Sequence, residues 1–172
     1  MQLTQIESQL LDTLSLVARV GFPYCVFDAI AVVAAKEFQP ILFSITARMG
    51  ETMMLERAYS SLSSSYAPGG RKDKTNTVFG RRVLCEGLQL RSEGVAAIRA
   101  HFEDAEKIIA LGGKSQLNVP VLCNGKVIGV LNATFAADSI DESAAAILSS
   151  FAPLAAVALL GRDDTNRLSA GG

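Results

Sequence analysis

Three cysteines, one histidine and a few clusters of charge are the residues whose chemistry could go beyond packing. Cys25, Cys85 and Cys123 form an odd, sparse set with no CxxC pair, which is not a disulfide framework. His101 has no cysteine beside it to begin a zinc site. Next to Phe102 it reads as a partly exposed residue at a helix end, with a general base or a haem ligand as the alternative. Gly112-Gly113-Lys114-Ser115 has the form of the close of a phosphate-binding loop. However, Ile108 stands where the first glycine is required, and a helix precedes the glycines rather than following them, so the pair reads as a helix stop. Glu103, Asp104 and Glu106 are close in sequence but define no acid–base pair, and Asp104 is placed to cap a helix. Arg71, Lys72 and Lys74 read as a solvated loop cluster. Arg81, Arg82 and Arg99 are better placed to meet a carboxylate or phosphate. No Ser-His-Asp set or GxSxG motif is present.

These residues must be positioned by a chain of 172 residues, one ordinary domain in length. It is 49% hydrophobic and 19% charged, too apolar for disorder. A net charge of −1 gives no surplus to drive nucleic-acid binding. The first residues lack the basic and apolar runs of a secretion signal. With the free thiols, this predicts a cytoplasmic protein. Residues 143–161 carry no charge, the length of a membrane span, but their serines, Pro153 and many alanines favour a buried or interface helix.

Periodicity supplies the elements. Leu3, Ile6, Leu10, Leu14 and Val17 recur at helical spacing, and Pro23 opens a second helix to about residue 38. Residues 41–47 and 53–60 read as strands around Gly50-Glu51. The Ser-, Gly- and Pro-rich stretch 60–74 reads as the segment most prone to disorder. A short helix over 75–85 and an extended run over 86–91 follow. Ser92 and Asp104 are expected to cap two small helices. Asn124-Gly125 between two β-rich runs is a strong hairpin signal, because both turn positions need positive φ. Asp141 then caps one long helix to about residue 160. Strands that arrive as hairpins make the sheet largely antiparallel, in an α+β domain.

The second half carries a family pattern. Phe102-Glu103-Asp104, Ile108, Leu111-Gly112, Asn118-Val119-Pro120-Val121 and the run from Asn124 through Val127-Ile128-Gly129-Val130-Leu131 to Asn132 resemble the GAF family, in particular its short, stand-alone bacterial members. The resemblance implies a PAS-related α+β fold with a central antiparallel sheet of five to six strands. Terminal helices would lie on one face and a ligand pocket roofed by short helices and loops on the other. It implies a single GAF-like domain over 1–162: N-terminal helices 1–38, sheet and roof 39–135, C-terminal helix 140–161, with a flexible tail 163–172. The candidate pocket residues are Phe43, Phe79, Arg99, His101, Phe102, Asp104, Ile108, Asn118 and Asn132.

The function this implies is a small-molecule-binding sensory or regulatory module, with the ligand and any cofactor unidentified. It would act through an output partner and as a homodimer paired through its terminal helices, with no nucleic-acid or membrane role. Two alternatives stand beside it. One is a thiol-dependent free methionine sulfoxide reductase, for which Gly80 to Cys85 resembles the segment of the resolving cysteine. The segment 108–115 lacks the nucleophilic one. The other is an assembly module with a degenerate pocket. Asn132 falls where cyclic-nucleotide-binding members carry an asparagine, but Ala133 replaces their lysine.

Overall fold

The structure is a computed structural model. It describes residues 15–169 together with Gln5, Ser8, Leu11 and Asp12, and side chains only as far as Arg162. The predicted first helix therefore lies largely outside the described residues. Ser15–Ala18 forms a 3-10 turn. Helix α1, Tyr24–Glu37, starts directly after Pro23. Strands β1 (Leu42–Arg48), β2 (Met54–Ser60) and β3 (Arg71–Asp73) follow, then a wide π-helical turn, Gly80–Cys85. Next come β4 (Leu90–Glu93), helices α2 (Val95–His101) and α3 (Ala105–Ala110), and the long hairpin β5 (Ser115–Cys123) and β6 (Lys126–Phe135). The chain ends in α4 (Glu142–Ser150) and α5 (Ala152–Ser169).

The six strands form one antiparallel sheet in the order β3-β2-β1-β6-β5-β4. The β5–β6 turn is made by Asn124 and Gly125, with φ of 49° and 71°. This is the left-handed backbone that the Asn-Gly pair predicted. Pro120, which has no amide to donate, sits where β4 has already ended, since β4 pairs only with Ser115 to Asn118.

Strand alternation divides the sheet into two faces. Phe43, Ile45, Leu117, Val119, Leu131 and Ala133 point to one side and pack with Phe27 and Ile30 of α1, Leu148 of α4, Leu154 and Leu159 of α5, and Phe151 between the last two helices. A second apolar cluster on the other side joins Leu55 and Val130 to the roof residues Phe79, Val83, Ile98, Phe102 and Ile108. Gly129 lets α5 approach the sheet closely. A Cβ there would stand 2.4 Å from Leu159 Cδ1 and 2.4 Å from the Thr46 carbonyl oxygen.

The structure departs from the sequence reading at four places. The C-terminal helix is two helices bent by 42° at Phe151, because Pro153 offers no amide and crowds the preceding turn. Among the described residues no single helix is long and apolar enough to cross a membrane, and most of the apolar residues of α4 and α5 are covered by the sheet. Gly94, at φ 80°, rather than Ser92 precedes α2; Ser92 is a strand residue. Asp104 precedes α3, but its side chain makes no cap hydrogen bond. The stretch 60–74 contains strand β3 and the buried Tyr66.

Candidate ligand site

A cavity of about 70 Å³ lies between the sheet and the roof. Its floor is a polar row that follows from strand alternation. Ser44 and Thr46 of β1, Asn132 and Thr134 of β6 and Gln116 of β5 are the residues between the helix-facing apolar ones. Leu42, Leu55, Phe79, Phe102 and Ile108 supply apolar wall, and Arg57, Tyr66, Lys72, Lys74 and Asp104 close one end.

Part of the polar row is satisfied internally. Asn118 and Asn132 face each other across β5 and β6. Asn118 Nδ2 donates to Asn132 Oδ1 at 2.9 Å, and Asn132 Nδ2 donates to the carbonyls of Val130 at 3.2 Å and Ser44 at 3.3 Å. Other groups are not satisfied. Gln116 Oε1, Asn118 Oδ1 and Arg57 Nε are buried without a hydrogen-bond partner among the described residues. An unpaired buried polar group costs about 1–3 kcal/mol, so such groups are rare away from functional sites.

The charged end is built around Tyr66. Arg57 stacks on its ring at 5.0 Å from the centroid and donates from Nη1 to the Ala67 carbonyl at 3.0 Å. Lys72 and Lys107 approach the same ring at 5.9 and 4.4 Å. Burial, with the Asp104 charge beside it, pushes the Tyr66 hydroxyl up to about 12. Asp104 pairs with Lys72 and lies 3.4 Å from the Tyr66 hydroxyl. Burial alone would raise the Asp104 carboxyl, but the hydrogen bond and charge of Lys72 outweigh it and hold it below its ordinary value. Lys74 is 5% exposed, and its ammonium sits 5.3 Å from the Phe79 ring centroid. Among the described residues it has no carboxylate within ion-pair distance. Burial, and then the Lys72 charge, lower it from the usual lysine range. Gly80 sets this corner, because a Cβ there would lie 2.0 Å from the Lys74 carbonyl oxygen.

Of the residues singled out by sequence, Phe79, Phe102, Asp104, Ile108 and Asn132 line the cavity, and Asn118 lies beneath it through its bond to Asn132. The other three lie elsewhere. Phe43 has the opposite parity on β1 to Ser44 and packs in the helix-side core against Tyr59. Arg99 is on the outer surface, paired with Glu106 at 2.7 Å. His101 Nδ1 meets Ser92 Oγ at 2.7 Å, tying α2 to β4. Arg81 and Arg82 are exposed and lie near Glu86. The sequence reading missed Arg57, Tyr66, Lys72, Lys74 and Gln116. The signal available for Gln116 was a polar residue at every second position of an otherwise apolar strand. Cys85 is exposed on the π-helical turn, Cys25 and Cys123 are half-buried, and none of the three lines the cavity.

Behind the charged end, Glu56 of β2 is held by Arg162 of α5 and by Arg71 of β3, the latter at 2.8 Å. The Arg162 hydrogen bond, more than its own burial resists, keeps the Glu56 carboxyl below its ordinary value. Glu56 and Arg57 are neighbours on opposite faces, so one strand touches both the cavity and the last helix.

The fold and the sequence agree with known proteins. The GAF domain of a phosphoenolpyruvate-protein phosphotransferase from Coxiella burnetii superposes with a TM-score of 0.75 at 13% identity, over 94% of this chain and 96% of that one. The phycoerythrobilin-bound GAF domain of a cyanobacterial phytochrome gives 0.69 at 14% identity, over 90% and 94%. Free methionine-R-sulfoxide reductase from Neisseria meningitidis, in complex with its substrate, gives 0.67 at 18% identity, over 96% of each chain. At these identities the likeness is one of fold. A comparison with curated proteins gives no significant match. The family model of the GAF domain matches residues 9–159, nearly the whole described chain, and this protein therefore belongs to the GAF domain family.

Proposed function

We propose that this protein is a small-molecule-binding sensory or regulatory module of the cytoplasm, with its ligand held between the sheet and the roof. The observation that carries the reading is the buried polar row with unpartnered atoms at Gln116, Asn118 and Arg57. A core serving stability alone would fill that space with apolar side chains. The cavity is small beside the roughly 300–1,000 Å³ of sites for drug-sized molecules, which favours a compact ligand or a roof that opens. The thiol-redox alternative needs a cysteine at the substrate, and Cys85 lies outside the cavity.

The proposed output is a homodimer paired through the terminal helices and acting on a protein partner. Val32 and Tyr24 of α1 and Val157 and Leu160 of α5 are exposed, and Val32 is 67% accessible. These are the residues a helix-to-helix interface would cover. Denaturing mass spectrometry of freshly purified protein tests the ligand reading. A stoichiometric small molecule should be released from the parent protein and be lost from Ser44→Leu, which fills the cavity. A monomer in sedimentation at all concentrations would refute the dimer.

A further inference from the structure

We propose that the ligand is a compact oxyanion carrying two negative charges, gripped by Arg57, Lys72 and Lys74 at the charged end of the cavity. This rests on the reading of the cavity as a ligand site and deepens it. Three cations and one carboxylate line the cavity, an excess of two positive charges between the sheet and the roof. Buried charges are ordinarily paired, because an unpaired one is strongly destabilising. Here, among the described residues, only Lys72 has a carboxylate within ion-pair distance, that of Asp104. The Lys74 side chain is almost fully buried, with the Phe79 ring at its head and no carboxylate within ion-pair distance among the described residues, and Arg57 has a buried Nε with no acceptor among them. The other acids near Lys74, Glu103 and Asp73, are solvent-exposed, and Asp73 is occupied by Thr75. The charge imbalance therefore has no remedy within the described residues, and an entering anion with two charges supplies one.

Size and polarity narrow the class. About 70 Å³ admits a phosphate group or a short dicarboxylate in this form of the roof. The unpartnered Oε1 of Gln116, a residue 9% exposed at the floor, offers an acceptor to a hydroxyl of the ligand. Asp104 holds the place of a ligand carboxylate on Lys72, so ligand and Asp104 compete for the same ammonium.

The test uses the full chain, isothermal titration calorimetry and amide NMR of Gln116 and Asn132. The probes are inorganic phosphate, succinate, acetate and glycerol. Phosphate or succinate should saturate with one site per chain, and the tighter of the two identifies the phosphate or dicarboxylate source. Acetate should bind at least about tenfold more weakly, and glycerol should be silent. Lys72→Gln and Lys74→Gln should each weaken the dianion by roughly tenfold to a hundredfold, the loss of one charge-assisted bond. Lys114→Gln, a surface change, should leave it unaltered. Asp104→Asn should tighten binding, which a merely structural role of Asp104 would not do. Circular dichroism of each variant separates weak binding from failure to fold. Equal binding of glycerol or acetate, or dianion binding indifferent to the three charge variants, would overturn the charge assignment and leave the cavity reading standing. No shift at Gln116 and Asn132 with any probe, together with no small molecule released on denaturation, would sink both.

Discussion

Replacing Lys74 by methionine should make the unliganded protein more stable. The two side chains are similar in length, so packing against Phe79 is kept and the charge alone is removed. Stripping most of the water from an ammonium costs up to several kcal/mol after relaxation. The Phe79 ring at 5.3 Å returns about 0.5–2 kcal/mol, and the Asp104 charge returns part of the rest. A net gain of about 1–3 kcal/mol follows. For a chain of this length each kcal/mol moves Tm by roughly 2–4 °C, so Tm should rise by about 3–10 °C in calorimetry at pH 7. The pH dependence has a definite sign. The folded pKa of Lys74 lies below its ordinary 10.5. Between the two values the unfolded chain binds more protons, so parent stability rises with pH across that window. Methionine has no such rise, and the gap between variant and parent should close as pH approaches 10.5. A variant with unchanged or lower Tm, or a gap that widens with pH, would refute the claim that burial of the Lys74 charge is compensated only in part.

Other outcomes test the frame around the site. Gly129→Ala places a methyl group against Leu159 and the Thr46 carbonyl, and overpacking of this kind should cost about 1–3 kcal/mol in urea denaturation. Leu148→Ala, which empties a fully buried site in the helix-side core, should cost about 2–5 kcal/mol by the same assay. Absorbance titration at 295 nm should show one tyrosine ionising near pH 12, missing in Tyr66→Phe. Because folding raises that pKa from 10, the stability it contributes is present below pH 10 and is lost as pH climbs towards 12.

Local chemistry was legible where it was self-contained. The Asn124-Gly125 turn, the start of α1 after Pro23 and the Asp141 cap, which accepts from the Ser143 amide at 2.9 Å, depend on a few adjacent residues. The charged end of the cavity was not legible in the same way. Lys72 and Lys74 sit among Ser, Gly and Pro, a composition typical of solvated loops, and only the β2–β3 pairing brings them under the roof. Asp104 occupies a cap position, yet a lysine distant in sequence claims its carboxylate. Phe43 could have been assigned by parity, since Ser44 and Thr46 lie on the cavity face and its side chain must point the other way.

The two faces of the sheet separate foldedness from specificity. In β1, β5 and β6 the buried residues of the helix-side core stand at odd-numbered positions, such as Phe43, Leu117 and Leu131, while the positions of these strands that line the cavity are even-numbered. Exchanging one of these even-numbered residues alters the wall of the cavity and leaves the helix-side packing in place. A lineage can thus change the lining of the cavity one strand position at a time without crossing an unfolded intermediate. The same parity gives an engineer six addressable sites, Leu42, Ser44, Thr46, Gln116, Asn132 and Thr134, on a scaffold whose stability is set elsewhere.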